Sequence, residues 1–246
     1  MAVPLLLERL LAKLAAVPAF VALLVAARRS TPTELWIGDS HAMSFNQRVG
    51  LGMFMRGPEG QLVFRIGTRL MYSIARKDFP PRLARLARLL RSVGHRGSVV
   101  PFFITGEIDV RCHLTEHDGD YGFVAAYVQR CRDAMAALGS RRGVIVVPPP
   151  PSATCPDIEQ FPIKGDIGER IAAFEGLRSA LQSVVAQHDE LVLLDATPDL
   201  ADPTGALRPE LTDDGCHTNL AGVALVRRRV HGLPLQPPRS PGRVSA

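Results

Sequence analysis

The chain has 246 residues, of which 46% are hydrophobic and 22% charged, and its formal net charge is +5. This composition is typical of one globular domain and argues against a disordered, fibrous or multi-domain protein. The basic residues are nearly all arginines, spread along the chain without interleaved aromatic residues, so no nucleic-acid partner is expected.

The cysteines of this chain show no ligand or disulfide pattern. Cys112, Cys131, Cys155 and Cys216 form no C-x-x-C pair, and no ligand spacing separates any two of His95, His117, His188 and His231. We therefore expect no metal, no cofactor and no disulfide framework. This cysteine usage is compatible with a reducing compartment, and a cytoplasmic location is expected.

The first 30 residues are predicted to form an N-terminal helix over residues 5–27, with an interruption at Pro18. The apolar stretch 14–27 is shorter than the roughly 20 residues that a membrane span needs. Two interpretations stay open. The helix either packs on the domain, or it associates with a membrane surface, including as an uncleaved anchor.

The rest of the chain alternates short apolar runs with amphipathic segments, up to a tail at 232–246 that is rich in Pro, Arg and Ser and predicted to be flexible. The alternation predicts a single-domain α/β fold over residues 31–231, a three-layer sandwich with a five-stranded parallel sheet and helices on both faces. In chain order we predict strand 34–37, strand 61–66, helix 81–93, strand 98–104, helix 121–138, strand 143–147, helix 168–186, strand 191–194 and helix 219–230.

Residues suited to binding and catalysis follow several of the predicted strands. Ser40 and Gly67 follow the first two, segment 106–109 follows the third, and the proline-rich segment 148–152 follows the fourth. Ligands bind beyond the carboxyl ends of parallel strands, so these residues are expected to share one edge of the sheet.

Two segments far apart in the chain could form a nucleophilic site. Ser40 stands at a strand-to-helix turn, and Asp214 precedes His217 by three residues near the C-terminus. A serine needs a base to attack a carbonyl, and a carboxylate can fix the tautomer of that base. We expect Ser40 Oγ within about 3.5 Å of one His217 nitrogen, and Asp214 at the other. The alternative is that Ser40 caps a helix and His217 is a polar loop residue.

These segments resemble the sequence blocks of the SGNH (GDSL-type) hydrolase superfamily, over roughly residues 33–230. Gly-Asp-Ser at 38–40 matches the first block, Gly67 matches the glycine after the second strand, and Asp214 with His217 matches the last block. The resemblance implies a flavodoxin-like SGNH fold with Ser40 as nucleophile, His217 as base and Asp214 as its orienting carboxylate. It also implies that the Ser40 and Gly67 N–H groups bind the oxyanion, without a cofactor.

The third block departs from the Gly-x-Asn-Asp pattern of that superfamily. Here segment 106–109 reads Gly-Glu-Ile-Asp, and Ile108 has no donor for an oxyanion. Losing one such donor costs about 3–4 kcal/mol of transition-state stabilisation. The remaining backbone donors could suffice, Arg111 or His113 could replace the amide, or the site could be catalytically weak. The variant is similar to a divergent bacterial branch associated with glycans.

Five further residues are candidates for oxyanion or substrate binding. His41 could contact substrate or pack, Asp39 could instead brace the turn, and Glu107 is expected to form a structural ion pair with Arg111. Cys216 falls at a variable position of the last block. The five candidates are Asp39, His41, Gly106, Asp109 and Arg111.

The favoured function is a serine esterase or acyl hydrolase that acts on a small acyl ester, with O-acetyl groups of a glycan as one candidate substrate. One alternative is a catalytically weak module of the same fold that binds a glycan or a protein partner. Another is an acyltransferase or lipid esterase at a membrane surface, which the N-terminal helix would contact. A monomer is expected.

Overall fold

The computed structural model describes residues 16–25, 28, 33–44, 54–57, 59–92, 99–117, 119–157 and 159–235. The strands are β1 (Thr33–Gly38), β2 (Phe54–Arg56), β3 (Leu62–Arg65), β4 (Val99–Ile104), β5 (Gly143–Val146) and β6 (Leu191–Leu194). The helices are α1 (residues 16–25), α2 (Ser40–Met43), α3 (Met71–Lys77), α4 (Pro81–Ser92), α5 (Glu107–Cys112), α6 (Phe123–Ala137), α7 (Ile167–Val185), α8 (Thr197–Leu200) and α9 (Leu220–His231).

The strands form one six-stranded sheet in the order β2-β3-β1-β4-β5-β6. All neighbouring strands are parallel except β2, which runs antiparallel to β3 at the edge. The predicted α/β fold is confirmed, but the predicted strand count is one too low. Strand β2 has only three residues, too few to show a strand period in the sequence.

The central strands β1 and β4 are buried on both faces of the sheet, as expected for parallel strands covered by helices. Leu35 and Ile37 pack into the hydrophobic core on one face. Trp36 points to the opposite face and stacks on Phe102 with ring centroids 4.6 Å apart. This alternation separates two cores and produces the three-layer sandwich.

Helix α1 packs on the domain within its described residues. Ala19 and Leu23 are fully buried in the core, and the Phe20 ring lies 4.8 Å from that of Phe54. Residues 16–25 are helical throughout, so the interruption predicted at Pro18 is not found within them. No helix in the described parts of the chain has the length and apolar character that a membrane crossing requires.

Most of the predicted helices and strands are found with boundaries within two residues, although residues 93 and 98 lie outside the described part. The sequence did not indicate the short helices α3 and α5, which follow β3 and β4. These two helices matter because they begin at the carboxyl edge of the sheet, next to the candidate site residues.

Candidate functional site

The Gly38–Ser40 turn leaves the sheet at the carboxyl end of β1, between β3 and β4. Gly38 pairs in register with Arg65 on one side and Ile104 on the other. A Cβ at Gly38 would lie 2.2 Å from the Ile104 carbonyl oxygen, so only glycine allows β4 to approach this closely. The turn therefore presents Ser40, which is half-buried, at the edge predicted from the sequence.

Asp39 braces this turn from within. Its side chain is fully buried, and its Oδ1 accepts a hydrogen bond of 2.9 Å from the backbone N–H of His41, which caps α2. Burial raises the pKa of Asp39. The carboxylate is therefore placed to hold the turn, and its burial argues against the substrate contact that was the other prediction.

The Asp214–His217 segment is held against the loop that follows β5. Gly215 has a positive φ of 73°, and a Cβ there would lie 2.2 Å from the Thr154 carbonyl oxygen. Asp214 Oδ1 accepts hydrogen bonds from the backbone N–H groups of Cys216 (2.8 Å) and His217 (2.7 Å). Its Oδ2 lies 2.6 Å from His217 Nδ1, which is the contact expected from the sequence.

The electrostatics of this pair favour a neutral histidine with a fixed tautomer. Burial opposes ionisation of Asp214, but hydrogen bonds from the His217 ring and backbone outweigh it and lower the pKa of Asp214 to about 2. Burial and the charge of His41 lower the pKa of His217, although Asp214 acts in the opposite direction. A proton on Nδ1 faces Asp214, which leaves the lone pair on Nε2.

The Nε2 atom of His217 is buried and has no hydrogen-bond partner within the described part of the chain. The hydrogen bond predicted from Ser40 Oγ is thus not formed. Catalytic hydrogen bonds are often long without substrate and shorten only when it binds. The two segments do meet, because the centroid of the His41 ring, next to Ser40 in sequence, lies 4.7 Å from that of the His217 ring.

His41 is the least expected member of the site. It is 3% exposed, and its Nε2 lies 3.3 Å from Glu107 Oε2. The same oxygen lies 3.2 Å from Arg111 Nη2, so the predicted ion pair between Glu107 and Arg111 is present. Burial alone would lower the pKa of His41, but its contact with Glu107 and the charge of Asp39 raise it. The sequence predicted the pair of Glu107 with Arg111 but not the contact of His41 with Glu107.

Asp109 and Gly106 lie beneath the site rather than in it. Asp109 is fully buried, and its oxygens accept hydrogen bonds from the backbone N–H groups of Met71 (2.6 Å) and Tyr72 (3.0 Å) at the start of α3. Burial raises the pKa of Asp109 to about 7. A Cβ at Gly106 would lie 2.9 Å from Met71 Cε. Their predicted substrate contact is replaced by a role in positioning α3.

Gly67 lies beside the first block, as predicted. The preceding residue, Ile66, donates its N–H to the Gly38 carbonyl at 2.7 Å, which fixes this loop next to β1. Gly67 is half-buried and has a positive φ of 88°. A side chain there would be strained, and its Cβ would lie 3.3 Å from Arg82 Nη2.

Two cysteines that are distant in sequence also meet at the site. Cys216 is buried, and Arg111 Nη1 lies 3.6 Å from Cys155 Sγ. The neighbouring Cys216 thiol and the Arg111 guanidinium lower the pKa of Cys155 to about 7, against the effect of burial. Among the described residues, two groups could each hold a metal ion, because the donor atoms within each group lie within 4.8 Å of one another. One group is His41, Cys216 and His217, and the other is Glu107, Cys155 and Cys216.

An apolar pocket adjoins these residues on the side of the second core. His41 and Thr218 stand at its polar end, and aliphatic side chains form the remaining walls. Those walls include Ile104, Val146 and Pro149. The polar lining residues His41 and Thr218 follow Ser40 and His217 in sequence, and the mainly apolar walls suit an apolar group better than a charged one.

Comparisons with known proteins bear on the fold. No protein-family model matches the sequence, and no curated protein of similar sequence was found. A proposed acylhydrolase from Bacteroides fragilis is similar in structure, with a TM-score of 0.52, 17% identity and coverage of 85% of this chain and 91% of that one. A proposed platelet activating factor from Streptococcus pneumoniae is also similar, with a TM-score of 0.51, 17% identity and coverage of 92% of this chain and 95% of that one. The chain has the SGNH hydrolase fold.

The third sequence block of this chain lacks the side-chain donor to the oxyanion that the resemblance to SGNH hydrolases leads one to expect. Ile108, which stands where that superfamily has its donor asparagine, is 1% exposed and supplies no polar atom. Arg111 is 5% exposed and already contacts Glu107. The His113 ring packs on Tyr72, with centroids 4.6 Å apart. Both side chains therefore have contacts of their own, although Arg111 Nε has no hydrogen-bond partner among the described residues.

Proposed function

We propose that this protein is a serine esterase that hydrolyses a small acyl ester, with Ser40 as nucleophile, His217 as general base and Asp214 as its orienting carboxylate. The observation that carries the proposal is the Asp214–His217 pair, whose contact of 2.6 Å leaves Nε2 buried and without a partner among described residues. A histidine in this state is neutral, and its Nε2 can accept the proton of a serine hydroxyl group.

The proposed reaction has two balanced steps. Ser40 Oγ attacks the ester carbonyl while His217 Nε2 accepts the hydroxyl proton, and the alcohol leaves with that proton. Water then attacks the acyl-enzyme, His217 accepts one of its protons, and the proton returns to Ser40 as the acid is released. The N–H groups of Ser40 and Gly67 are the proposed donors to the oxyanion in both steps.

His41 is proposed to compensate for the missing asparagine. Its ring is buried, it follows the nucleophile in sequence, and the Glu107 carboxylate 3.3 Å away raises its pKa. A fixed positive charge in a water-poor site stabilises a developing oxyanion strongly. This assignment needs no side chain at position 108 and no metal or organic cofactor.

The proposed substrate carries a short acyl group such as acetyl, in keeping with the apolar pocket beside His41 and Thr218. The similarity in fold to a proposed acylhydrolase supports ester chemistry. An O-acetylated glycan is one candidate carrier. The proposed catalytic domain spans residues 31–231, with residues 1–30 as an appended helix.

Hydrolysis of p-nitrophenyl acetate tests the proposal. We expect the wild-type chain to exceed the buffer rate and Ser40→Ala to fall to it. Ser73→Ala in α3 is the matched control and should keep the wild-type rate. Equal rates for wild type and Ser40→Ala would refute the assignment of the nucleophile.

The second candidate is a catalytically weak binding module, favoured by the buried, apolar Ile108. A folded wild-type chain that hydrolyses no ester above buffer would support it. Binding to O-acetylated glycans without turnover would then be its positive signature.

A further inference from the structure

The donor atoms next to the proposed nucleophile have the composition of a transition-metal site. One ring nitrogen from His41, the Cys216 thiol and one ring nitrogen from His217 all lie within 4.8 Å of one another. Two imidazoles and a thiolate are ligands that Zn²⁺ prefers. The sequence predicted no such site, because the spacing between the first histidine and the other two residues is far outside any ligand motif.

Buried nitrogens without partners point to a ligand at this cluster. His41 is 3% exposed, and its Nδ1 has no hydrogen-bond partner in the described part of the chain. The same holds for His217 Nε2. A buried imidazole nitrogen without a partner is costly, and a bound cation would give both nitrogens a partner once His41 has lost its second proton.

Each of the two histidines also has a carboxylate next to its other nitrogen, and of the two contacts only that of His217 meets hydrogen-bond geometry. His217 Nδ1 lies 2.6 Å from Asp214 Oδ2, and His41 Nε2 lies 3.3 Å from Glu107 Oε2. Such carboxylates fix the ring orientation and make the opposite nitrogen a better ligand. The two pairs come from segments that are far apart in the sequence. Each leaves one ring nitrogen without a partner, Nδ1 in His41 and Nε2 in His217.

We propose that His41, Cys216 and His217 form a Zn²⁺ site, and that bound Zn²⁺ inhibits the esterase. Bonds of about 2.1 Å to nitrogen and 2.3 Å to sulfur in a tetrahedron place donors about 3.4–3.6 Å apart. The three donors must therefore approach by at most about 1.5 Å, which side-chain rotation supplies. Solvent can supply the fourth donor of the tetrahedron.

The consequence for activity rests on the proposed function. Zinc bound to His217 occupies the lone pair that must accept the proton of Ser40, so occupation and hydrolysis exclude one another. Binding requires Cys216 as a thiolate and both imidazoles as neutral rings, so it releases protons to solvent. Removing the metal with a chelator restores the free base.

The test uses the full chain, reduced and freed of metal, and titrates it with Co²⁺ and then with Zn²⁺. We expect one equivalent of Co²⁺ to give the absorption of tetrahedral Co²⁺ with a thiolate-to-metal charge-transfer band, and Zn²⁺ to displace it. Cys216→Ala should lose that band and bind Zn²⁺ at least about 100-fold more weakly, since even the loss of a residue that only hydrogen-bonds a metal ligand costs about 10–100-fold. The control is Cys112→Ala, whose half-buried thiol donates to the Ile108 carbonyl outside the cluster.

Two results would overturn the metal site: no stoichiometric binding by the folded, reduced wild type, or the same charge-transfer band in Cys216→Ala. Binding is measured without an ester, so it is independent of the proposed esterase activity. Zinc binding by a chain without esterase activity would refute the proposed function and keep the site. A rate of ester hydrolysis that stays unchanged at saturating Zn²⁺ would refute the proposed inhibition by zinc.

Discussion

The buried carboxyl of Asp109 makes the stability of this protein depend on pH in a way that one substitution removes. Asp109 is fully buried, and burial raises its pKa from 3.8 to about 7. In the unfolded chain this carboxyl loses its proton near pH 4, whereas in the folded protein it keeps the proton to about pH 7. Stability therefore falls as the pH rises through this window, and the loss is complete above it.

The size of the effect follows from these two pKa values. One pH unit between them corresponds to about 1.4 kcal/mol, so the wild type should lose about 2–3 kcal/mol through Asp109 between pH 5 and pH 8. The asparagine in Asp109→Asn cannot titrate, so this variant should not show that pH-dependent loss of unfolding free energy. The variant also gives up one of two hydrogen bonds to α3, which adds a pH-independent cost of about 1–3 kcal/mol.

The assay is urea unfolding of both proteins at pH 5 and pH 8 at constant ionic strength. The free-energy difference between them should shift by about 2–3 kcal/mol in favour of Asp109→Asn at pH 8. Asp133→Asn, on the surface of α6, should show no such shift. A difference that is the same at both pH values would refute a buried, protonated carboxyl at position 109.

Three further substitutions probe the site. Glu107→Gln leaves the buried Arg111 without its carboxylate and should destabilise the fold by about 2–4 kcal/mol in urea unfolding. Gly215→Ala meets a backbone oxygen and a left-handed φ, so it should cost about 2 kcal/mol in urea unfolding and reduce ester hydrolysis by displacing the loop. Asp214→Asn removes the acceptor for His217 Nδ1 and should lower kcat/KM at least about 100-fold in ester hydrolysis, with little change in stability.

Each of these substitutions has a control of the same chemistry at a residue without a proposed role in the site. Glu210→Gln breaks an exposed ion pair and should cost under about 1 kcal/mol. Gly205→Ala also has a positive φ but meets only a side-chain methyl group, so hydrolysis should be kept. Asp213→Asn changes the neighbouring carboxylate and should keep kcat/KM. Equal effects in a variant and its control would contradict the role assigned to that site residue.

The parts of the fold that the sequence predicted are those with a long periodic signal. Strand β4 is a continuous apolar run and helices α6 and α7 exceed 14 residues, so each was found near its true bounds. Strand β2 and helix α3 have three and seven residues, too few for a period to be distinguished from chance. Helix α3 also has no side-chain cap of its own, because Asp109 from a distant segment binds its first N–H groups.

The predictable part of the site is local in sequence. The turn at 38–40 and the Asp214–His217 pair are each contained in four residues or fewer, and their geometry follows from local hydrogen bonds. The contacts of Glu107 with His41, and of Cys155 with Cys216, depend on which strands are neighbours, which no local pattern specifies. The position of Asp109 in its block suggested a site residue, but the packing of α3 over it determined its burial.

The most direct measurement of the central claim is covalent labelling of the full chain with a fluorophosphonate, followed by mass-spectrometric mapping of the adduct. A serine activated by His217 reacts with this probe, whereas an ordinary surface serine does not. The adduct should lie on Ser40, disappear in Ser40→Ala and be strongly reduced in His217→Ala. A folded wild-type chain that stays unlabelled, or that is labelled at another residue, would contradict the assignment of Ser40 and His217 as one catalytic unit.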